Sequence, residues 1–150
     1  MNINYRKATK EDKQALFDMA VLFTEFNVLA SGDRRRFFWD DWEQDFDDEI
    51  GTSLKDPSHV FFLAELEDGT PVGYVLARHC SDCAYYIIDE LFIKAEVRGN
   101  AVGEQLLKMA IEEGKKYGEK IKAEVFMWND AARKFYLKHG FKEDAVVLEL

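Results

Sequence analysis

A chain of 150 residues, 47% hydrophobic and 14% aromatic, has enough apolar surface to build one domain with a substantial core. Its formal net charge of −9 argues against a nucleic-acid or anionic-membrane partner and is compatible with a cationic one. No apolar run approaches the roughly 18 residues that a membrane span requires, and Met1-Asn2-Ile3-Asn4 begins no secretory signal, so a cytoplasmic protein is expected.

Ile3 to Lys7 alternates apolar and polar residues, which predicts a short strand. Thr9-Lys10-Glu11-Asp12 is close to a capping box. Leu16, Met19, Ala20, Phe23 and Phe26 then recur at helical spacing, predicting a helix over about 10–29 that Ser31-Gly32 breaks. In the next segment Phe38, Trp42, Phe46 and Ile50 fall four apart, on one face of a second helix. The opposite face is acidic: seven of the ten residues from Asp40 to Glu49 are Asp or Glu. Such runs are ordinarily solvated faces; the functional alternative is a wall that attracts a polycationic ligand. Trp39 and Trp42 could pack on the carbon skeleton of that ligand or enter the core.

Val60 to Glu67 predicts a strand, Glu67-Asp68-Gly69-Thr70 a hairpin turn, and Pro71 to Arg78 the returning strand. His79 to Cys83 connects to a fourth strand from about Ala84, so strands two to four should form an antiparallel meander. Cys80 and Cys83 stand in a C-S-D-C sequence, and His59, His79 and His139 are the only histidines. A tetrahedral zinc site would need two further ligands. Two reduced thiols at a hairpin, with no metal, are the expectation.

The most informative stretch is Ile87 to Lys108. Ile87, Ile88, Leu91, Phe92 and Ile93 read as strand, with Asp89 and Glu90 among them. A polar turn follows at Arg98-Gly99-Asn100, and from about Ala101 the residues Val102, Leu106, Leu107, Ala110 and Ile111 recur on one helical face. A strand entering a helix through a glycine turn is a ready anion site. The first amides of the helix lack partners, and its dipole favours negative charge. Gly99 and Gly103 permit close approach of a phosphate, and Arg98 can add a fork of donors. The nucleotide loop ending in Gly-Lys-Ser/Thr is absent, as is the dinucleotide G-x-G-x-x-G fingerprint. What is present is Arg98-x-x-Ala101-x-Gly103.

Further on, Lys120 to Met127 predicts a fifth strand and Asn129 to His139 a short helix with an Asn cap and a glycine stop at Gly140. Phe141 to Leu150 predicts one last strand, or two. The pattern Asn129, Ala132, Tyr136, Gly140, Phe141, taken with Arg98-x-x-Ala101-x-Gly103 and the opening Ile3 to Asp12, resembles the GNAT superfamily of N-acetyltransferases over nearly the whole chain. The resemblance implies an α/β (α+β) fold: one mixed, mostly antiparallel sheet of about six strands, four helices, and a splay between strands four and five.

It also implies transfer of an acetyl group from acetyl-CoA to a primary amine in a ternary complex. The backbone from Arg98 through Gly99, Asn100, Ala101, Val102 and Gly103 to Glu104 would hold the cofactor's pyrophosphate. Leu91, Phe92 and Ile93 would pair with its pantetheine arm like an added strand, and Asn129 would touch that arm. Tyr136 would protonate the leaving thiolate. A carboxylate would take the amine's proton, with Asp89 and Glu90 favoured and Glu124 third. Asp89 and Glu90 are neighbours on one strand, so the expectation is that they point to opposite faces and only one meets the cleft.

Two departures from the family stand out. Ala101 replaces a motif glycine, which alanine can do only with a negative φ. Only nine residues follow Phe141, so the terminal hairpin should be short or absent and could leave a sheet edge for a second subunit to cover as a homodimer. The acceptor suggested by the acidic helix is a small cationic amine of polyamine or aminoglycoside type. A protein N-terminus, a lysine side chain, or an acyl-CoA sensor without turnover are the alternatives.

Overall fold

The computed structural model describes all residues, 1–150. The elements run β1 (Ile3–Lys7), α1 (Lys13–Ser31), α2 (Arg34–Phe37), α3 (Trp42–Lys55), β2 (His59–Leu66), β3 (Pro71–Cys80), β4 (Tyr85–Ile93), α4 (Val102–Lys115), β5 (Lys120–Ala123) and α5 (Asp130–Lys138), with single 3₁₀ turns at Lys10–Asp12 and Ala95–Val97. The strands form one sheet in sequence order, antiparallel from β1 to β4, and parallel between β4 and β5. The parallel pair is what α4 connects: a crossover helix is the usual way to bring a strand back in the same direction. No helix is long and apolar enough to cross a membrane.

The sheet is covered on both faces. On one, Val102, Leu106, Leu107 and Ala110 of α4 pack onto Val60, Ala64, Val72, Val75, Ala77, Tyr86 and Ile88. On the other, Leu16 and Met19 of α1 and Ile50 of α3 pack onto Phe61, Leu63, Tyr74 and Phe92. β2 and β3 are therefore apolar on both faces, as strands sandwiched between helices must be. The stripe Phe38, Trp42 and Phe46 is anchored on α1, where Trp42 stacks on Phe17 at 6.3 Å, and Phe38 meets Trp42 at 4.6 Å. Trp39 stays partly exposed and donates its indole N–H to Asp45 at 2.6 Å. The aromatic stripe thus mounts α3 on the domain. Of the acidic residues, Asp47 pairs with Lys13 of α1 at 2.9 Å, while Asp48 and Glu49 face a cleft against the sheet.

Four expectations need correction. The second helix does not carry Phe38 with Trp42, Phe46 and Ile50: α2 ends at Phe37, Asp41 turns the chain at φ +62°, and only Trp42, Phe46 and Ile50 share α3. The predicted strand over 141–150 does not form, and the sheet has five strands, not six. This segment is rich in β-formers, but a strand exists only with a ladder partner, and the chain leaves Gly140 on a course that meets none. Instead Glu143 receives Arg133 at 2.6 Å and Glu149 lies 3.4 Å from Arg36. β5 ends at Ala123 rather than Met127, because its partner strand stops offering hydrogen bonds there. Cys80 and Cys83 are joined as a disulfide rather than held as two thiols: the hairpin brings their Cα atoms to 5.5 Å, within bonding range.

Candidate active site

The site is built by an irregularity in β4. Along β3 and β4, Leu76 faces Glu90 while the next residue, Ala77, faces Ile88. Asp89 is therefore the extra residue of a β-bulge, which bends the strand and raises its local twist. The β4–β5 ladder ends at the same point, with Ile88 opposite Ala123. Beyond it β4 continues to Ile93 with no strand on that side. The splay between strands four and five is thus present, and it opens an unpaired edge along Asp89, Glu90, Leu91, Phe92 and Ile93.

That edge leads to the start of α4. The first backbone hydrogen bond of the helix runs from Gln105 N–H to Ala101 O at 3.0 Å, and no amide from Gly99 to Glu104 donates to another backbone group. Six successive N–H groups are available beside the positive end of a 14-residue helix. The turn is held from within: Asn100 Nδ2 donates to Val97 O at 3.0 Å, and Arg98 Nε to Ile93 O at 3.3 Å. Arg98 is tied to the strand end through one nitrogen and keeps its terminal NH₂ groups free. Gly103 lies where α4, β4 and α5 meet: a Cβ there would stand 3.5 Å from Ile93 and 3.8 Å from the Phe135 ring, ordinary contact distances. Ala101 caps the helix with φ +57°, in the left-handed region. The expectation of a negative φ is overturned. The turn demands the conformation that a glycine would adopt freely, and alanine holds it at a cost of about 1–2 kcal/mol.

On the opposite face of β4 is an open cleft of about 570 Å³, lined by Asp48, Glu49, Thr52 and Ser53 of α3, His59 of β2, Leu76 of β3, and both Asp89 and Glu90. The bulge overturns the expectation that the two acids point to opposite faces: the extra residue breaks the alternation, and both reach the same cleft. Their surroundings differ. Asp89 receives Arg78 Nε at 2.8 Å and its side chain is 27% exposed. Burial raises its carboxyl above the ordinary range, and the Arg78 guanidinium opposes the rise. Glu90 has no cationic partner; its Oε2 accepts the Tyr74 hydroxyl at 2.7 Å. Burial is the largest influence on it and pushes its carboxyl up; the Tyr74 bond lowers it, and the charges of Asp89 and Glu49 raise it further. Glu124 stands apart just past β5, exposed, with Lys122 3.8 Å away, and lines no part of the cleft.

α5 lies on the α4 side of the sheet, its Phe135 ring beside Gly103. Asn129 caps it by accepting the Ala132 amide at 3.1 Å. Tyr136 packs edge-on against Phe135 at 5.4 Å and Phe141 at 5.2 Å. Burial pushes its phenol up to about 12, which keeps it protonated at neutral pH. Its hydroxyl makes no hydrogen bond within the protein. Tyr74 is the site residue that sequence reasoning missed: an aromatic in a buried strand gives no local sign that its hydroxyl meets an acid from the next strand.

Residues 19–141 match the acetyltransferase (GNAT) family, and the chain belongs to it. A curated relative, an uncharacterized N-acetyltransferase MJ1207 of Methanocaldococcus jannaschii, is 35% identical over 107 residues, covering 63% of this chain. This chain spans 44% of that relative's length. Among solved structures, the fold matches a mutant of the BH1408 protein of Bacillus halodurans with a TM-score of 0.82 at 19% identity, covering 100% of this chain and 98% of the other. It also matches AAC(6')-Iy, in complex with the bisubstrate analog CoA-S-monomethyl-acetylneamine, with a TM-score of 0.74 at 16% identity, covering 100% and 97%.

Proposed function

We propose that this chain is an acetyl-CoA-dependent N-acetyltransferase whose acceptor is a small cationic amine with a primary amino group. The observation that carries the reading is one of position. The unpaired edge of β4 joins the free amides of 99–104 to an acidic cleft on the far face, and the bulged carboxylates stand where the two meet. The structural likeness to AAC(6')-Iy, which holds a linked CoA and acetylneamine, supports an arrangement with donor on one side and amine on the other.

In this reading the amides from Gly99 to Glu104, with the free NH₂ groups of Arg98, hold the pyrophosphate. The backbone of Leu91, Phe92 and Ile93 pairs with the pantetheine arm, and Asn129 touches that arm. The acceptor enters the acidic cleft as an ammonium. Its pKa of about 10 means that exposing the lone pair at neutral pH costs about 4 kcal/mol. Glu90 takes this proton, directly or through water, while Asp89 stays paired with Arg78. The free amine attacks the thioester carbonyl. A C–N bond forms, the C–S bond breaks, and the thiolate takes the proton of Tyr136; the second proton, which the nitrogen sheds as the amide forms, returns the tyrosinate to its phenol, and the first leaves Glu90 for solvent. A second copy of the chain, docked along the free edge of β5, completes the molecule.

Thermal unfolding with acetyl-CoA, with CoA, and with CoA plus a panel of diamines, polyamines and aminoglycosides tests the reading. Ligand at about 100 times Kd adds roughly 2.7 kcal/mol, a rise of several degrees for a domain of this size. Acetyl transfer to an amine that adds a further rise is the expected result. No stabilisation by millimolar acetyl-CoA would defeat the reading. Stabilisation without transfer to any amine would favour the acyl-CoA sensor.

A further inference from the structure

The two acids of the bulge are adjacent in sequence and line one cleft, yet each is held by a different residue of β3. Arg78 grips Asp89 through its guanidinium, and Tyr74 grips Glu90 through its phenol. Tyr74 is 1% exposed. Its ring is wedged between Phe61 at 6.2 Å and Phe92 at 6.1 Å, its cross-strand partners being Leu63 and Phe92. The ring therefore has one place to point its hydroxyl, and that place is Glu90 Oε2. No protein group donates to Glu90 Oε1. Burial keeps the phenol well above its ordinary value, so it serves as a permanent donor.

We propose that Tyr74 is the positioning residue of the catalytic base: by fixing Oε2 of Glu90 it sets the carboxylate plane and leaves Oε1 as the oxygen that takes the acceptor's proton. This rests on the acetyltransferase reading. A phenol donates to an ionised carboxylate more strongly than to a neutral acid. It therefore holds Glu90 charged against its surroundings: Asp89 beside it on β4, paired with Arg78 of β3, and Asp48 and Glu49 on α3, with His59 on β2 as the remaining titratable group of the lining. Without Tyr74, four acids would line one cleft, with Arg78 engaged by Asp89 alone, and Glu90 would be the one left without a donor.

The experiment is a pH titration of the glutamate carboxyl carbons by ¹³C NMR on the whole chain, with the Glu90 signal assigned by its loss in Glu90→Gln. It is paired with the pH profile of kcat/KM for an acceptor identified by the amine panel. In Tyr74→Phe the Glu90 midpoint should rise by about one unit, the scale of a hydrogen bond to a charged group. The acid limb of kcat/KM should move up by the same amount. Introducing 3-fluorotyrosine at position 74 preserves volume and donates more strongly, so both should move down; this arm decides the matter if the Phe variant does not fold. A midpoint and acid limb that stay put in a folded variant would overturn the proposal, since a ring that merely fills the core would lower Tm and leave both unmoved. A shifted carboxyl midpoint with an unshifted acid limb would also overturn it, because Glu90 would then not be the base. If wild-type protein acetylates no amine, the acetyltransferase reading fails, and the base role falls with it even where the NMR midpoint moves.

Discussion

At the scale of single residues, the site depends on how unequal two adjacent carboxylates have become. Glu90 sits in the fold with its carboxyl raised, burial being the main cause. For an acid so raised, the ionised form is the one the fold disfavours. The penalty is absent below the unfolded value near 4.3, grows as pH rises through the folded value, and is complete above it. Glu90→Gln has the same shape and no such penalty. Its Tm should equal that of wild type below the unfolded value, exceed it increasingly as pH rises toward the folded value, and keep that excess above it, while acetyl transfer falls by about 10²-fold or more. Scanning calorimetry across that range checks the sign, and a Tm difference that shrank with rising pH would contradict it. Stability lost to a buried charge is expected where chemistry is done.

Among the elements, α4 shows how a helix end can be made into a binding surface. Its amides are free because the chain enters abruptly, through Gly99 at φ +83° and Ala101 at φ +57°. These two left-handed residues on either side of Asn100 fold the loop back without engaging the amides of 102–104 in local turns. The strain at Ala101 is tolerated because Val102, buried at the next position, locks the helix onto the sheet. Ala101→Val would place a β-branched residue where even alanine is strained. A further loss of about 1–2 kcal/mol is expected, a fall of a few degrees in Tm together with weaker stabilisation by acetyl-CoA. Ala101→Gly removes the strain, partly offset by the extra freedom of the unfolded chain. Thermal unfolding of both variants with and without acetyl-CoA reads the two effects separately.

At the scale of the whole molecule, β5 is the open feature of the sheet. Its four residues form one edge of the sheet, and nothing in the chain pairs with its outer side. The segment after Gly140 offers Val147 and Leu148 at 83% and 89% exposed, in a run whose composition suits a strand. A second copy could supply the ladder that this segment lacks. Sedimentation at micromolar concentration should therefore give a dimer, and Val147→Asp should convert it to a folded monomer with little change in the monomer's own core. A wild-type protein that sediments as a monomer at every concentration would rule this out.

Much of this arrangement was legible in the order of residues. Apart from the break at 38–41, the strands and helices through residue 115 fall close to where apolar periodicity and turn residues place them, because those signals are local: a 3.6-residue stripe, the Thr9 cap, the Gly69 turn and the Gly32 stop. The two motifs, Arg98 to Gly103 and Asn129 to Phe141, announced the family, which the match over residues 19–141 establishes. The acidic stripe of α3 was visible too, although not what it faced. The features that decide the site and its surroundings were not legible, and each depends on how distant segments lie against one another. The bulge at Asp89 is a mismatch of register between β3 and β4, and only the pairing shows that both acids share a cleft. The Tyr74–Glu90 bond spans sixteen positions and exists only across that pairing. The φ of Ala101 is imposed by where β4 ends and α4 must begin. The terminal segment has the composition of a strand but no neighbour to bond. The sequence by itself determined the elements, the family and the chemical groups available; the tertiary structure decided which of those groups meet, because register and facing are set by contacts between distant segments and not by the preferences of either one.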